Sequence, residues 1–474
     1  MNSLHFVTVG MSPSIVKNLW DRIGAKGRFN ISHIAHPSFE LAEWSKWASD
    51  SPVKFFDGEL LEEMPPADRE LLASLEGEGL PTVHNMIMSD RYVCKLPYEL
   101  ALRYATFLTG RLVALYRELS PSAIIGGFDS LHGSLGFAVA KRESIPWFAL
   151  CFSPLPRGEV AVCTGLTPSS MITFEPDRAD SLHERADRIL QDFENRRLEA
   201  AAHIPPALLS VSFILKQIPT QLGAIRKVIQ RRGRRRFLQF TNSKNSYSLT
   251  GLIHEAVRLR KNLLQLPDEI LWKCPDDRAY AFFGMHMQPE SSIDVWAHFF
   301  SNQVRVIELM SRSLPPTHSL YVKLHKSDAP NYSREALKEI ARFPGVRLVA
   351  PGADTYVFIK NAELIFSIQG TIGLEGALLR KPVIMFGESP VKHFPGVSTF
   401  GRMIDLPRLV RDKLRQSPPD RTSTLKAFAK YLAPFYPGSC NDWTQRPTDQ
   451  EIEGYVGVLN ILETYISAGA ELSP

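Results

Sequence analysis

The residues best placed for chemistry are Gly370 and Thr371. They lie between an apolar run, Ala362 to Ile368, and a helix-forming stretch, Thr371 to Leu379, that is closed by Arg380-Lys381-Pro382. A turn from strand to helix presents free backbone N–H groups and the positive end of a helix dipole, and the natural guest is a phosphate. Glu375 follows Thr371 by one helical turn, so it shares the face of the turn and could accept hydrogen bonds from a ribose diol. Two other apolar runs end in polar residues, one in Gln288-Pro289-Glu290 and one in Lys323-Leu324-His325. Strand ends on one sheet edge converge, and a lysine and a histidine beside a helix N-terminus would neutralise a departing phosphate without a metal ion. His286 alternates with Met285 and Met287, which suits a packed strand end better than a ligand contact. In the other half of the chain, Gly126-Gly127-Phe128-Asp129-Ser130 and His132 follow a short apolar run. There Asp129 could serve an acceptor hydroxyl as general base, or could equally cap a turn or helix. Glycine at such turns also permits close packing of a helix on a sheet, so Gly370 and Gly373 have a purely structural reading as well.

Holding these residues together requires alternating strands and helices. Residues 1–180 read that way: a strand Leu4 to Val9, a helix with Val16, Leu19, Trp20 and Ile23 on one side, a long amphipathic helix Pro97 to Leu119, a strand Ala123 to Ile125, a helix Leu131 to Glu143 and a strand Pro146 to Leu150. Residues 181–275 are different, being helical, basic and interrupted by Pro205, Pro206, Pro219 and Pro267. From 276 to 474 the alternation resumes, with strands expected at Tyr280 to Gly284, Ser319 to Lys323, Arg347 to Val349, Leu364 to Ile368 and Val383 to Phe386, and helices at Ile293 to Ser313 and Ser333 to Phe343. The expected class is α/β, with two Rossmann-like domains and a basic helical insertion between them.

Size and composition agree. At 474 residues, 44% hydrophobic and 22% charged, the chain is too long for one core and has the make-up of a soluble globular protein. Cys94, Cys151, Cys163, Cys274 and Cys440 are odd in number and widely spaced, without metal-ligand spacing, which points to a reduced cytoplasm. Met1 to Gly10 reads as a first strand rather than a signal peptide.

The net charge of +5 is concentrated in one segment. Between Ala200 and His254 there is no Asp or Glu, while Lys216, Arg226, Lys227, Arg231, Arg232, Arg234, Arg235, Arg236 and Lys244 are all basic. Leu222, Ile225, Val228 and Ile229 form an apolar stripe beside them, so residues 222–236 suit either an anionic membrane surface at the inner membrane or a solvated linker. Nucleic acid is disfavoured, because aromatic residues are not interleaved with the charges.

The order Gln288-Pro289, Lys323-x-His325, Asn331-Tyr332 and then Ser367 to Gly387 resembles the bacterial capsule polysaccharide biosynthesis and export proteins, which include Kdo transferases. These are similar to glycosyltransferases of GT-B architecture, in which two Rossmann-like domains face a cleft and the C-terminal one holds a nucleotide-sugar. The resemblance covers Tyr280 to Phe394. It implies a metal-independent glycosyltransferase with no cofactor, a CMP- or UDP-linked sugar as donor and a glycan or glycolipid as acceptor. It further implies that His325 contacts the donor phosphate, that Gly370 and Thr371 cap it, that Glu375 lies near the ribose and that Gln288 and Glu290 line the pocket. The chain departs from the family where Lys326 replaces the proline that usually follows the histidine, and where Gly376 stands in place of alanine. Two rivals share much of this plan: a non-hydrolysing nucleotide-sugar 2-epimerase and a non-catalytic capsule assembly protein.

Overall fold

A computed structural model of the chain describes residues 4–10, 16–27, 29–35, 53–55, 64–90, 93–127, 130–175, 177–198, 271–276, 278–288, 290–325, 332–438 and 448–467. Thirteen strands are formed among the described residues. They are β1 (His5–Val9), β2 (Asn30–Ala35), β3 (Val53–Phe55), β4 (Ala123–Gly126), β5 (Trp147–Phe152) and β6 (Glu159–Cys163), then β7 (Tyr280–Gly284), β8 (Ser319–Lys323), β9 (Val346–Val349), β10 (Leu364–Ser367), β11 (Val383–Met385) and β12 (Val397–Thr399), and last β13 (Tyr436–Pro437). The described parts of Met1–Glu175 and Pro434–Pro474 make one compact unit, and those of Pro176–Arg232 and Ser246–Ala433 make a second.

In the first unit the sheet order is β13-β6-β5-β4-β1-β2-β3. β1 to β5 pair in parallel, while β6 and β13 close one edge antiparallel. Strands covered on both faces need apolar side chains on both faces, and β1 supplies them: Phe6 enters one core layer, Val7 and Val9 the other. The helix Tyr98–Leu119 lies on the second of those layers through Leu102, Ala105, Leu108 and Leu112. The first layer is completed from the far end of the chain, where Ile452, Tyr455, Leu459 and Leu462 of the helix Asp449–Ser467 pack around Phe6, Leu19, Trp20 and Ile23. Tyr436–Pro437 and Asp449–Ser467 thus belong with the first unit, although the sequence places 276–474 in one domain.

The second unit has the order β12-β11-β10-β7-β8-β9, all parallel. Its first strand, β7, lies in the middle of the sheet, and chain order reverses between β7 and β10. This is the doubly wound plan, whose ligand crevice lies at the carboxyl ends of the two strands flanking the reversal. In the first unit the same reversal falls between β1 and β4. Alternation again sorts the side chains, with Ala281, Phe283, Val322 and Phe366 in one layer and Phe282, Tyr321, Ile365 and Met385 in the other.

One expected helix is broken. Ile293 to Ser313 divides into Ser291–Asp294, a 3₁₀ turn His298–Phe300 and Gln303–Ser313. The cause is local: the Asn302 side chain accepts the Arg305 N–H at 3.2 Å and so starts a new helix. Of the basic insertion, the helix His183–Glu194 is described and lies in the second unit, while the charge-rich part, including 222–236, lies outside the described residues. No helix among the described residues is long and apolar enough to cross a membrane.

Candidate functional site

The crevice of the second unit is built where β7 and β10 end. After β10 the chain turns through Ile368-Gln369-Gly370 into the helix Thr371–Leu378. Ser367 Oγ donates to Gln369 O at 2.9 Å, and the Gln369 carboxamide donates to Glu388 O. Gly370 occupies φ +89°, ψ −166°, a conformation essentially closed to any residue with a Cβ. It is the N-cap of the helix and has no side chain to cap with, and among the described residues no side chain is bonded to the amides of the first turn. They stay available for a ligand that accepts hydrogen bonds, and the helix dipole favours a negative one. The helix also packs tightly on the sheet, because a Cβ at Gly376 would come 3.1 Å from both Ile365 and Val383. The close-packing reading of these glycines and the anion-seat reading are compatible: Gly376 serves the first and Gly370 the second.

His286, two residues beyond β7, stands directly against this turn. A Cβ on Gly370 would lie 3.1 Å from His286 Cε1, and the Gln369 N–H donates to His286 Nε2 at 3.3 Å. The main chain of His286 is held from several sides. Its N–H donates to Gln303 Oε1 at 2.8 Å, while its carbonyl accepts from Gln303 Nε2 at 3.0 Å and from the Tyr332 hydroxyl at 3.2 Å. Burial, and secondarily the charge of His325, lowers its pKa to about 4. The ring is therefore neutral at physiological pH. With Nε2 accepting, the single ring proton sits on Nδ1, which makes no hydrogen bond among the described residues and faces the Gly370 side.

His325 and Lys323 come from the end of β8, next to β7 in the sheet. Lys323 is buried and its ammonium donates to Pro351 O at 3.0 Å. Burial and then the Lys323 charge hold the His325 pKa down, and His325 in turn acts on His286. One neutral imidazole, His286, thus stands against the Gly370 turn, with His325 coupled to it electrostatically from the end of β8 and the Lys323 ammonium tied to Pro351 beyond β9. Positive potential at the turn itself therefore comes from the helix end rather than from an imidazolium. Glu375, one turn into the helix, is buried.

Gln288 and Glu290 are occupied with shaping the loop after β7. Gln288 Nε2 donates to Asp294 Oδ1 at 2.9 Å, and Gln288 Oε1 accepts from Gln303 at 2.9 Å. The Glu290 N–H donates to Asp294 Oδ2 at 2.9 Å, while its carboxylate accepts the Ser292 hydroxyl at 2.7 Å. Asp294 and Gln303 organise this loop, yet nothing in their sequence setting marks them out. For His286 there was a signal, its place just past a strand end at the reversal of strand order, but the flanking methionines favoured packing.

In the first unit Asp129 lies outside the described residues. His132 is buried near the start of the helix Leu131–Arg142, its Nε2 2.9 Å from the Tyr104 hydroxyl. Ser130 caps that helix through the Gly133 N–H at 3.3 Å. The buried Asp90 carboxylate accepts the Leu131 N–H at 2.8 Å and the Val93 N–H at 2.9 Å.

No protein-family model matches the chain, and no curated protein matches it. Among solved structures it is similar to the β-Kdo 2,7 transferase of KpsC from Thermosulfurimonas dismutans, at 11% identity over 74% of this chain and 90% of that one, with a TM-score of 0.38. It is also similar to a glycosyltransferase from Rickettsia africae, at 9% identity over 99% of this chain and 100% of that one, TM-score 0.32. A third such structure is the UDP-GlcNAc 2-epimerase of Methanocaldococcus jannaschii in complex with UDP-GlcNAc and UDP, at 10% identity over 90% of this chain and 99% of that one, TM-score 0.30.

Proposed function

We propose that the chain is a glycosyltransferase that takes a sugar from a nucleotide-sugar and passes it to a glycan or glycolipid hydroxyl in surface polysaccharide assembly. The observation that carries this reading is the uncapped helix start at Gly370-Thr371, placed at the reversal of strand order with the neutral His286 ring beside it. In this role the first-turn amides and His286 Nδ1–H hold the donor phosphate, His325 contacts it from the β8 side, and Lys323 supplies positive potential. As the bond between the anomeric carbon and the phosphate oxygen breaks, negative charge grows on that oxygen while positive charge grows on the sugar. Donors that are fixed before the reaction stabilise the growing negative charge without reorganising. The acceptor oxygen then bonds to the anomeric carbon, and its proton passes to a base, which we assign to Asp129, three residues after β4 in the sequence. Glu375 would accept from the ribose, and Gln288 and Glu290 would line the donor pocket through the loop they shape.

Thermal-shift measurements against CMP-, UDP- and GDP-sugars test the donor half. At least one should raise the melting temperature, and His286→Ala and His325→Ala should each reduce that rise. No stabilisation by any of them would favour a non-catalytic assembly role. Product analysis with the stabilising donor tests the transfer. Conversion of the donor to its epimer in the absence of any acceptor would overturn transfer in favour of 2-epimerisation, and Asp129→Asn should abolish acceptor-dependent product while leaving donor binding intact.

A further inference from the structure

We propose that the second unit carries a docking surface for anionic lipid, formed by the turns His298–Phe300 and Met403–Asp405 and by the arginine face of the helix Leu406–Arg415. The inference is independent of the donor reading. Among the described residues of this unit, the three most exposed large apolar side chains are Phe299 at 86% exposure, Ile404 at 81% and Met403 at 51%. All three sit on short turns at the carboxyl rim of the sheet, one turn in the excursion after β7 and the other just past β12. The turns converge, because Phe300, next to Phe299, packs on Phe386 and on Phe400, three residues before Met403, with ring centroids 5.5 and 6.2 Å apart.

The exposed side chains are held in place. The His298 ring lies tilted against Phe299 with centroids 4.1 Å apart, and its Nδ1 lies 3.1 Å from Val295 O, which braces the ring at the turn. Arg402 forms two bonds to Asp405, at 2.9 and 3.1 Å, and this clip closes the turn with Met403 and Ile404 displayed between its ends. A rigid turn that displays apolar groups is expected where those groups are buried by something else.

The chemistry beside the turns says what that partner is. Ile404, Arg408, Arg411 and Arg415 succeed one another at intervals of four, three and four, so they line one side of the following helix, while Leu406, Val410 and Lys413 are turned inward. Arg411 and Arg415 make no hydrogen bond or ion pair among the described residues. Asp412 is the one acid among the exposed residues of that helix. An apolar tip followed by a row of guanidinium groups matches a bilayer interface that is apolar below and anionic at its surface, and each arginine near such a surface adds attraction. A protein partner would have to supply an apolar pocket and an acidic row together, which a lipid interface supplies without a specific fold.

The test is flotation of the full-length protein with phosphatidylcholine vesicles with and without phosphatidylglycerol. Wild-type protein should float with the anionic vesicles and be released by high salt. Phe299→Ser with Ile404→Ser should lower the vesicle-bound fraction more than about tenfold, and Arg411→Glu with Arg415→Glu should lower it by at least about fivefold per residue. A cooperative urea-unfolding transition with an unchanged slope would show that these variants are folded. Vesicle binding that survives both double variants but is lost when Arg231, Arg232, Arg234, Arg235 and Arg236 are changed to Ser would overturn the proposal. So would a failure of wild-type protein to bind anionic vesicles, or a dimer in sedimentation that Phe299→Ser dissociates.

Discussion

Both units reverse chain order beside their first strand, and in both a helix starts close to that reversal, yet the two helix starts are finished in opposite ways. In the first unit Ser130 caps Leu131–Arg142, and the buried Asp90 carboxylate takes the Leu131 N–H. That start already holds an anion of its own, so a phosphate there would meet repulsion and find those amides taken. In the second unit the cap is Gly370, no side chain among the described residues answers the first turn, and a neutral imidazole stands beside it. Shared topology makes two possible ligand sites, and the side chains at the helix starts leave one open to an anion. This is why the donor is assigned to the second unit.

The contrast can be broken from the first unit. Asp90→Asn removes a charged acceptor and turns an amide NH₂ toward a backbone N–H in a buried site. It should destabilise the protein by about 1–3 kcal/mol in urea unfolding, while nucleotide affinity stays unchanged. A loss of nucleotide affinity without a loss of stability would mean that Asp90 serves the ligand rather than the helix.

The second unit offers a subtler handle through pH. The His286 pKa is near 4 in the folded chain and near 6.5 when unfolded, so on acidification the unfolded chain takes up the proton first. Its contribution to stability is therefore complete above pH 6.5 and declines as pH falls toward 4, by at most about 1.4 kcal/mol per pH unit. Subtracting the pH profile of His286→Gln from that of wild type should isolate this slope. A difference profile that is flat between pH 6.5 and 4 would show that the ring is not held neutral by its surroundings.

The smallest effect should come from Gly376→Ala. Alanine improves helix propensity by about 1 kcal/mol, but its methyl would press on Ile365 and Val383 at 3.1 Å. The two terms oppose each other, and the net change should stay within about 1 kcal/mol by urea unfolding.

Much of this architecture could be read from the chain. Buried parallel strands are short apolar runs closed by turn residues, and Tyr280–Gly284, Ser319–Lys323 and Ala123–Gly126 show that pattern. The Gly370-Thr371 turn was legible for the same reason: a strand, a glycine and a helix follow without interruption. What escaped were features created by distance in sequence. Asp90 reaches Leu131 from 41 residues away, and Gln303 grips His286 from 17. The return of the chain end to the first unit rests on the two-residue strand β13 and on one face of Asp449–Ser467, and neither declares its partner locally. His325 drew attention because Lys323 stands beside it in sequence, whereas the placement of His286 depends on β7 lying next to β10, a neighbour relation visible only in the sheet.

The most direct test is to give the second unit the electrostatics of the first. Thr371→Asp places a carboxylate in the first turn of a helix that tolerates one well, so stability should hold or rise by about 0.3–1 kcal/mol. Isothermal titration with whichever nucleotide-sugar stabilises the wild type should then show affinity reduced by at least about a hundredfold, or roughly 2.7 kcal/mol. Equal affinity in the folded variant would contradict the account, because the donor phosphate would have to be held somewhere other than the Gly370-Thr371 helix start.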